Sequence, residues 1–289
     1  MSTSRSLLPS PALIESVEQS EIDYMTDRMR AIQSRPGNPE KIEIQTFGRA
    51  TAFTSETMPW PAFNTVKGLA DTDIGQLEPI LEFFRARGRK VQLEIVPSRV
   101  GPDFLGRMAE LGLYASGVHA SLIAQPREIP DRRSGSEANP DRIVIRELHA
   151  GEMETYAMLH CRGTGLPDHG ILPVQQNNEV LHGREGWTFL IAESDGTPAA
   201  TAVLFERDRR ASLTFAATLP EFRGRGLHRR LIERRIGEAF SRNNELVVGQ
   251  CAFLSQSHRN MEHAGMRLGY VRTAWTEANT HPAKESTPS

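Results

Sequence analysis

The sequence predicts an α/β (α+β) protein made of two halves of similar architecture. Segments with the hydrophobic patterns of strands and helices alternate along the whole chain. Near the middle, residues 125–141 are rich in Pro, Ser and charge and poor in apolar side chains, which is typical of a linker. The two halves end in the same order of elements: strand, helix, strand, short helix, glycine, strand.

The composition is that of an ordinary globular protein. The chain has 289 residues, more than one core usually needs, with 38% hydrophobic and 24% charged residues. Its formal net charge of −2 argues against nucleic-acid partners and against a polybasic membrane-binding surface. The two cysteines, Cys161 and Cys251, are far apart in sequence, which argues against a disulfide framework and against a cysteine-rich metal site, and we expect no metal.

No segment is predicted to enter or cross a membrane. The first residues lack the apolar stretch of a secretory signal, and no apolar run approaches the ~20 residues that span a bilayer. We therefore expect a cytoplasmic location. Residues 279–289 are predicted to form a disordered tail.

The first half, residues 1–124, is predicted to open with a helix. Apolar residues recur at helical spacing from Ile14 to Ile32, and the turn around Pro36 ends this run. Further strands are predicted at 42–47, 62–69, 91–97 and 113–124, and helices at 73–88 and 103–111.

The second half, residues 142–278, contains a predicted three-strand run at its centre. Asp195-Gly196 and Arg209-Arg210 separate these strands by breaks short enough for hairpins. Strands are predicted at 143–148, 187–194, 199–208, 211–219, 246–253 and 266–278, helices at 152–162, 226–242 and 257–264, and a looser helix or loop at 171–184.

The similar ends of the two halves suggest an internal duplication. Val91–Pro97 matches Leu246–Ala252, and residues 111–113 match 264–266 at nearly the same offset. An unrelated α/β domain as the first half is the alternative.

A glycine-rich turn at residues 223–228 is the most informative segment for function. It follows the motif TLPEF and joins a predicted strand to a basic amphipathic helix. Glycines let the backbone approach a ligand closely, and the free N–H groups of a helix start attract anions such as pyrophosphate. In the alternative interpretation, the arginines form a solvated helix face and pair with acids such as Glu233.

This turn resembles the acetyl-coenzyme A-binding motif Q/R-x-x-G-x-G/A of the GNAT N-acetyltransferase superfamily. TLPEF is similar to the lead-in V-x-P-x-Y of that family, and residues 142–278 follow its order of elements. The resemblance implies two GNAT-like halves, each a mixed, mostly antiparallel sheet flanked by helices, with the catalytic domain in the second half. His228 departs from the family pattern, which has Gly or Ala there.

The resemblance also implies a cosubstrate, acetyl-coenzyme A or another acyl-coenzyme A. Main-chain groups at the end of the strand before the turn would hold the pantetheine and polarise the acyl carbonyl, although small side chains there also suit close sheet packing. The implied cofactor-binding residues are Ala216, Ala217, Thr218, Arg223, Gly224, Arg225, Gly226, Leu227, His228, Arg229 and Asn260.

The acid–base groups are less well determined. Met261 stands where family members often have a proton-donating Tyr, and a Met side chain cannot donate a proton. Another donor such as Ser257, His263 or water then serves, or the thiolate leaves unassisted, or the site is degenerate; Ser257 or Ser255 could equally cap the helix. The candidate bases are Glu206, Glu221, His160 and His169. Cys251 is expected to be a buried small residue and not an acyl-carrying nucleophile.

The corresponding turn of the first half, Lys67 to Ile74, lacks the Arg-Gly-x-Gly motif. It carries Asp71 and Asp73 at the helix start, where carboxylates cap the free N–H groups and repel a pyrophosphate. We expect this half to be a degenerate copy that does not bind coenzyme A there and that closes one side of the acceptor pocket.

The sequence therefore predicts an N-acyltransferase that moves an acetyl group to a primary amine by direct attack. The acceptor would be a small molecule or a peptide. A catalytically silent acyl-coenzyme A-binding or regulatory protein is the main alternative, and transfer to a hydroxyl or of a longer acyl chain is a third. The acceptor's identity and the oligomeric state are not predicted.

Overall fold

The computed structural model of the chain describes residues 7–58, 60–129 and 142–278. Most of the predicted linker, residues 130–141, and the predicted tail lie outside these ranges. Within them, no helix has both the length and the apolar character that crossing a bilayer requires.

The described residues form seven α-helices and eleven strands. The helices are α1 (Pro11–Gln33), α2 (Leu77–Arg85), α3 (Pro102–Glu110), α4 (Met153–Thr164), α5 (Ile171–Glu179), α6 (Leu227–Ser241) and α7 (Gln256–His263). The strands are β1 (Glu43–Phe47), β2 (Ala50–Thr54), β3 (Thr65–Lys67), β4 (Gln92–Ile95), β5 (Leu113–Ala124), β6 (Ile143–Glu147), β7 (Trp187–Ser194), β8 (Thr197–Arg207), β9 (Arg210–Thr218), β10 (Leu246–Ala252) and β11 (Arg267–Glu277).

These elements agree with the sequence prediction except in three places of the first half. Strand β2 was not predicted; it follows β1 after the two-residue turn Gly48-Arg49, where Gly48 has φ +58°. The strand predicted at 62–69 is only three residues long, because a 3-10 turn at Pro61–Phe63 precedes it. The helix predicted at 73–88 begins as the 3-10 turn Asp71–Gln76 and becomes α-helical at Leu77.

All eleven strands lie in one sheet, in the order β1-β2-β3-β4-β11-β5-β10-β9-β8-β7-β6. The pairs β3–β4 and β9–β10 are parallel, and the other neighbouring pairs are antiparallel. The fold class is therefore α/β with a mixed, mostly antiparallel sheet, as the sequence predicts.

The last strands of the two halves are exchanged. Strand β5 of the first half pairs with β10, the penultimate strand of the second half, in a register that opposes Val247 to Ala124. Strand β11 of the second half pairs with β4, with Thr273 opposite Ile95, and also with β5. The two halves thus complete each other's sheets, which the sequence did not predict because strand patterns carry no information about the partner strand.

Helices cover both faces of the second half of the sheet. Leu204 of β8 packs in the cluster of α6 and α7, whereas its neighbours Val203 and Phe205 pack in the cluster of α4. Since successive side chains of a strand point to opposite faces, α6 and α4 lie on opposite sides of the sheet. Helix α1 of the first half packs on the α4 side, where Ala31 joins the same cluster.

A buried ion network joins α1 to the exchanged strands. The Glu21 carboxylate accepts hydrogen bonds from Ser121 of β5 at 2.6 Å and from Tyr270 of β11 at 3.1 Å, and it also pairs with Arg272 of β11. Arg272 Nε lies 2.8 Å from the carboxylate of Glu94 on β4. Burial opposes the charge of Arg272, but Glu21 and Glu94 outweigh it and raise its pKa, so the ions are paired inside the core.

Replacing Glu21 by Ala should destabilise the protein strongly. The variant leaves Arg272 buried with one carboxylate fewer, and breaking a buried ion pair costs about 3–5 kcal/mol. Urea unfolding at neutral pH measures this loss. Glu15→Gln on the same helix is the matched control, because the Glu15 side chain is 54% exposed and an exposed pair contributes under about 1 kcal/mol. Equal stabilities of the two variants would contradict the role of the network.

Candidate active site

Strands β9 and β10 separate at the edge where the glycine-rich turn lies. Their parallel register ends at Leu213 opposite Gly249, although both strands continue beyond these residues. Phe215 has φ +48°, and the β8–β9 register shifts between Thr214 and Ala217, which marks a β-bulge. The bulge frees main-chain groups of residues 215–216 from the ladder, beside the opening between the two strands.

The turn after β9 presents a helix start with free N–H groups. Gly224 and Gly226 both have φ +79°, a conformation that strains other L-residues, and Gly226 directly precedes α6. Neither a capping side chain nor an acidic residue is found in the first turn of α6. Residues 223–226 are exposed, so this helix start is open to an anion.

The arginines of the turn contact the protein and not only solvent. Arg223 donates from Nη2 to the carbonyl of Gly163 at 2.9 Å, which ties the turn to α4. Arg225 lies over the Phe222 ring, 5.0 Å from its centroid, and Arg229 pairs with Glu233 at 3.0 Å. The main-chain groups of the predicted cofactor-binding turn are thus better placed for phosphate than its side chains.

Three other predicted cofactor-binding positions differ in their surroundings. Leu227 is 1% exposed and its side chain belongs to the core. His228 and Asn260 are brought together, since Asn260 Nδ2 donates to His228 Nδ1 at 2.9 Å. Burial, with a smaller effect of Arg235, lowers the pKa of His228 to about 4. The ring is therefore uncharged at neutral pH.

Helix α4 approaches β9 at a glycine. A Cβ atom placed on Gly163 would lie 2.9 Å from Cβ of Ala217 and 3.1 Å from the nitrogen of Thr218. Only a glycine allows this contact, which holds the end of β9 in place. The sequence analysis did not single out Gly163; its one signal is a glycine inside a helical segment.

A buried arginine supports the bulge from the other face. Arg235 of α6 is 1% exposed, and its Nη1 lies 3.0 Å from the carbonyl oxygen of Val203 and 3.3 Å from that of Thr214. These donations satisfy carbonyl groups at the place where the bulge disturbs the β8–β9 ladder. Arg235 therefore fixes the main chain next to the opening, a role that the sequence analysis missed.

A second cluster lies on the α4 side of the bulge. The guanidinium of Arg28 on α1 stacks on Phe215, 4.3 Å from its centroid, and on Phe63, 4.7 Å from its centroid. Tyr156 and His160 of α4 stack on each other, and burial together with Arg28 lowers the pKa of His160 to about 4. We call Arg28, Phe63, Tyr156, His160 and Phe215 the Arg28 cluster. Of these residues, only His160 was a sequence candidate.

The position of Glu206 does not support its predicted role as a base. Its carboxylate accepts from Arg242 at 2.5 Å and from Asn244 at 2.6 Å. Arg242 follows the C-terminal end of α6, which is about 22 Å from the glycine-rich turn for a helix of 15 residues. Glu206 thus pairs with the end of α6 that is remote from the glycine-rich turn, and both of its carboxylate oxygens already accept hydrogen bonds.

The candidate proton donors Ser257 and His263 lie on α7, whereas the candidate bases His169 and Glu221 lie in the 3-10 turns Asp168–Gly170 and Pro220–Phe222. Ser255 is the residue that caps α7, accepting from the N–H of His258, which leaves Ser257 in the first turn. His263 is exposed at the end of this helix, and Met261 is 4% exposed within the core. Burial raises the pKa of the Cys251 thiol, which disfavours a nucleophilic thiolate.

The equivalent turn of the first half is occupied by its own carboxylates. Asp73 accepts hydrogen bonds from the N–H groups of Ala70 at 3.0 Å and Arg49 at 3.1 Å. Asp71 accepts from the N–H of Gly101 at 2.5 Å. This turn therefore lacks the open helix start that the second half presents.

Comparison with known proteins agrees with this geometry. A sequence model of the acetyltransferase (GNAT) family matches residues 153–279, which include the bulge, the glycine-rich turn and α7. Residues 153–279 are a GNAT domain. No curated protein matches the sequence significantly.

Solved structures extend the likeness to the first half. A GCN5-related N-acetyltransferase from Kribbella flavida superposes with a TM-score of 0.64 at 13% identity, covering 93% of this chain and 96% of that one. A tandem GNAT protein from the clavulanic acid biosynthesis pathway gives a TM-score of 0.57 at 15% identity, covering 96% and 98%. A GCN5-related N-acetyltransferase from Sphaerobacter thermophilus gives a TM-score of 0.58 at 14% identity, covering 81% of this chain and 82% of that one. The chain therefore has a tandem GNAT fold, and its N-terminal half is GNAT-like.

Metal ligands are not grouped in the parts of the chain that the structure describes. No three His, Cys, Asp or Glu side chains lie together there in a way that would hold an ion.

The close contact of α4 with β9 predicts an unusual response to a glycine substitution. Gly163→Ala should lower the free energy of unfolding by about 1–3 kcal/mol, because the added methyl group collides with Ala217 and Thr218. Gly106→Ala in α3 is the matched control. No atom lies within 4 Å of the methyl group it adds, so it should stabilise the protein by about 0.5–1 kcal/mol. Thermal or urea unfolding measures the stability of both variants against the wild type. Stabilisation by Gly163→Ala would contradict the contact between α4 and β9.

The two half-buried histidines with lowered pKa values, His160 and His228, predict a loss of stability in acid. Their pKa values of about 4 in the folded protein lie below the ordinary value of 6.5. Between these pH values the unfolded chain binds more protons, so stability falls as the pH drops from 6.5 towards 4. The double variant His160→Gln/His228→Gln should lose less stability than the wild type between pH 7 and pH 4.5 in urea unfolding. His263→Gln, at an exposed site, should behave as the wild type; identical pH profiles in all three proteins would contradict this assignment.

Proposed function

We propose that the protein is an N-acyltransferase that transfers the acetyl group of acetyl-coenzyme A to a primary amine. The observation that carries this proposal is the opening between β9 and β10, which ends at an exposed helix start with free N–H groups. A thin ligand with a pyrophosphate at one end and an acyl group at the other fits such a site. The membership of residues 153–279 in the GNAT family supports the same reaction class.

The two ends of the cosubstrate have separate binding groups in this proposal. The N–H groups of residues 224–228 and the dipole of α6 bind the pyrophosphate. The pantetheine lies in the opening between β9 and β10, beside Ala216 and Ala217. His228 is neutral and its ring is held by a hydrogen bond from Asn260. In this proposal the ring therefore lies next to the pyrophosphate of the cosubstrate without blocking its site.

The main chain of the bulge performs the electrostatic part of the reaction. The amine nitrogen attacks the thioester carbon, a carbon–nitrogen bond forms, and the carbon–sulfur bond breaks to release coenzyme A as a thiol. Main-chain N–H groups near residues 215–217 stabilise the negative charge that develops on the carbonyl oxygen, and they need no reorganisation because Arg235 and Gly163 fix this segment.

Proton transfer in this proposal uses no tyrosine and no Glu206. The amine loses one proton, and the departing sulfur takes one up, so the exchange is balanced. His160 is a base candidate on the α4 side of the bulge, and its pKa of about 4 makes it a weak base that is unprotonated at neutral pH. Water accepts the amine proton where His160 does not, and water or Ser257 supplies the proton to the thiolate.

A catalytically silent acyl-coenzyme A-binding protein is the second candidate. The buried Met261, which replaces the family's proton-donating Tyr, and the distant Glu206 favour it. Free-thiol release from acetyl-coenzyme A with a panel of primary amines separates the two functions. Binding without amine-dependent release would support the silent protein and overturn the enzyme.

A substitution at Gly226 tests the cosubstrate site under either function. Gly226→Val places a branched residue at φ +79°, which costs about 1–3 kcal/mol of strain and displaces the N–H groups of the turn. We expect the dissociation constant of acetyl-coenzyme A in isothermal titration to rise at least tenfold, which corresponds to about 1.4 kcal/mol.

The control for this substitution carries the same strain elsewhere. Gly196 also has φ +79°, in the exposed turn between β7 and β8. Gly196→Val should lower stability without changing affinity for acetyl-coenzyme A. Unchanged affinity in Gly226→Val would refute the proposed site.

A further inference from the structure

Arg28 is a cation without an anionic partner among the residues that the structure describes. Its guanidinium stacks on the rings of Phe63 and Phe215, and its buried Nε has no hydrogen-bond acceptor. None of the ion pairs within residues 7–58, 60–129 and 142–278 involves it. The preceding residue, Asp27, by contrast accepts from Arg184, Trp187 and Arg207.

The groups around Arg28 do not neutralise it. The two tyrosines whose charge would most affect Arg28 are Tyr156, which is buried, and Tyr24, which is half-buried; burial raises the pKa of both phenols, so both stay neutral. His160 is neutral at neutral pH, as argued above. An isolated charge in such surroundings loses hydration without gaining a counter-ion, which is unfavourable unless a ligand supplies the counter-ion.

The position of Arg28 connects this charge to the site. Phe215, on which the guanidinium stacks, is the bulge residue whose main chain borders the opening between β9 and β10. Arg28 lies on the α4 side of the sheet, whereas the phosphate-binding turn continues into α6 on the other side. A molecule bound against Arg28 would therefore approach the acyl group from the side opposite to the nucleotide end of the cosubstrate.

We propose that Arg28 binds a carboxylate group of the acceptor, so that the acceptor is an amino acid or a similar amino-carboxylate. This inference rests on the proposed acyl transfer and narrows its substrate. A guanidinium binds a carboxylate with two parallel hydrogen bonds, and the two phenylalanine rings hold its plane in place for this contact. The same charge repels polyamines and aminoglycosides, whose charged groups are all positive.

The first experiment compares acceptors that differ in one charge. Free-thiol release is measured with each common amino acid that has a primary amine and no thiol, with the corresponding amino acid amides and with spermidine. A charge-assisted hydrogen bond contributes about 1.5–3 kcal/mol, so kcat/KM for the preferred amino acid should exceed that for its amide by about tenfold to a hundredfold. Equal values for acid and amide, or a preference for spermidine, would overturn the proposal while leaving acyl transfer intact.

Variants of Arg28 identify the residue responsible. Arg28→Gln should raise KM for the amino acid at least tenfold and leave KM for the amide nearly unchanged, and Arg28→Lys should give an intermediate value. Arg30→Gln, at an exposed position of the same helix, is the matched control and should change neither the KM for the amino acid nor the KM for its amide. Equal losses for acid and amide in Arg28→Gln would show a structural role only and would overturn the proposal.

A binding measurement decides the case in which no amine is acetylated. Ligand-detected NMR with the N-acetyl form of each amino acid, the expected product, requires no turnover. Binding to the wild type and to Arg30→Gln but not to Arg28→Gln would support the carboxylate site even if the proposed reaction fails. Absence of binding to the wild type, or equal binding to all three proteins, would overturn it.

Discussion

The buried ion network around Glu21 holds the two halves of this protein in one sheet. It joins a helix of the first half, the last strand of that half and the last strand of the second half, at the place where these strands are exchanged. Buried ions are costly unless each is paired, so Glu21, Arg272 and Glu94 must come together in one arrangement. That requirement favours the exchanged pairing over two separate sheets, because only the exchange brings β11 next to β4.

The candidate site depends on this exchange, although its recognisable motif lies within one half. Strand β10 forms one wall of the opening and pairs on its outer edge with β5, which belongs to the first half. Helix α1, also from the first half, brings Arg28 to the bulge residue Phe215. The first half therefore contributes a supporting strand and a charged side chain to the candidate site, while carboxylates of Asp71 and Asp73 lie at its own turn.

Most of the secondary structure and the glycine-rich turn were predictable from local patterns, because hydrophobic periodicity and the Gly224–Gly226 motif act over a few residues. The strand exchange was not, since β5 and β11 have patterns that suit either partner. The hydrogen-bond partners of Glu206 could not be predicted for a similar reason: Arg242 and Asn244 follow the end of α6 that is remote from the glycine-rich turn. Arg28 escaped notice because its aromatic neighbours are distant in sequence.

The exchange also affects the order in which the sheet can be completed during synthesis. Of the strands that the structure describes, β11 is the last to be made, yet it lies between β4 and β5, fifth in the order of eleven. Until it arrives, the edges of both strands lack their final partner, and such edges can pair with other chains. Contacts between segments so far apart also form slowly. The growing chain must therefore keep two central edges of this sheet unpaired until β11 has been translated.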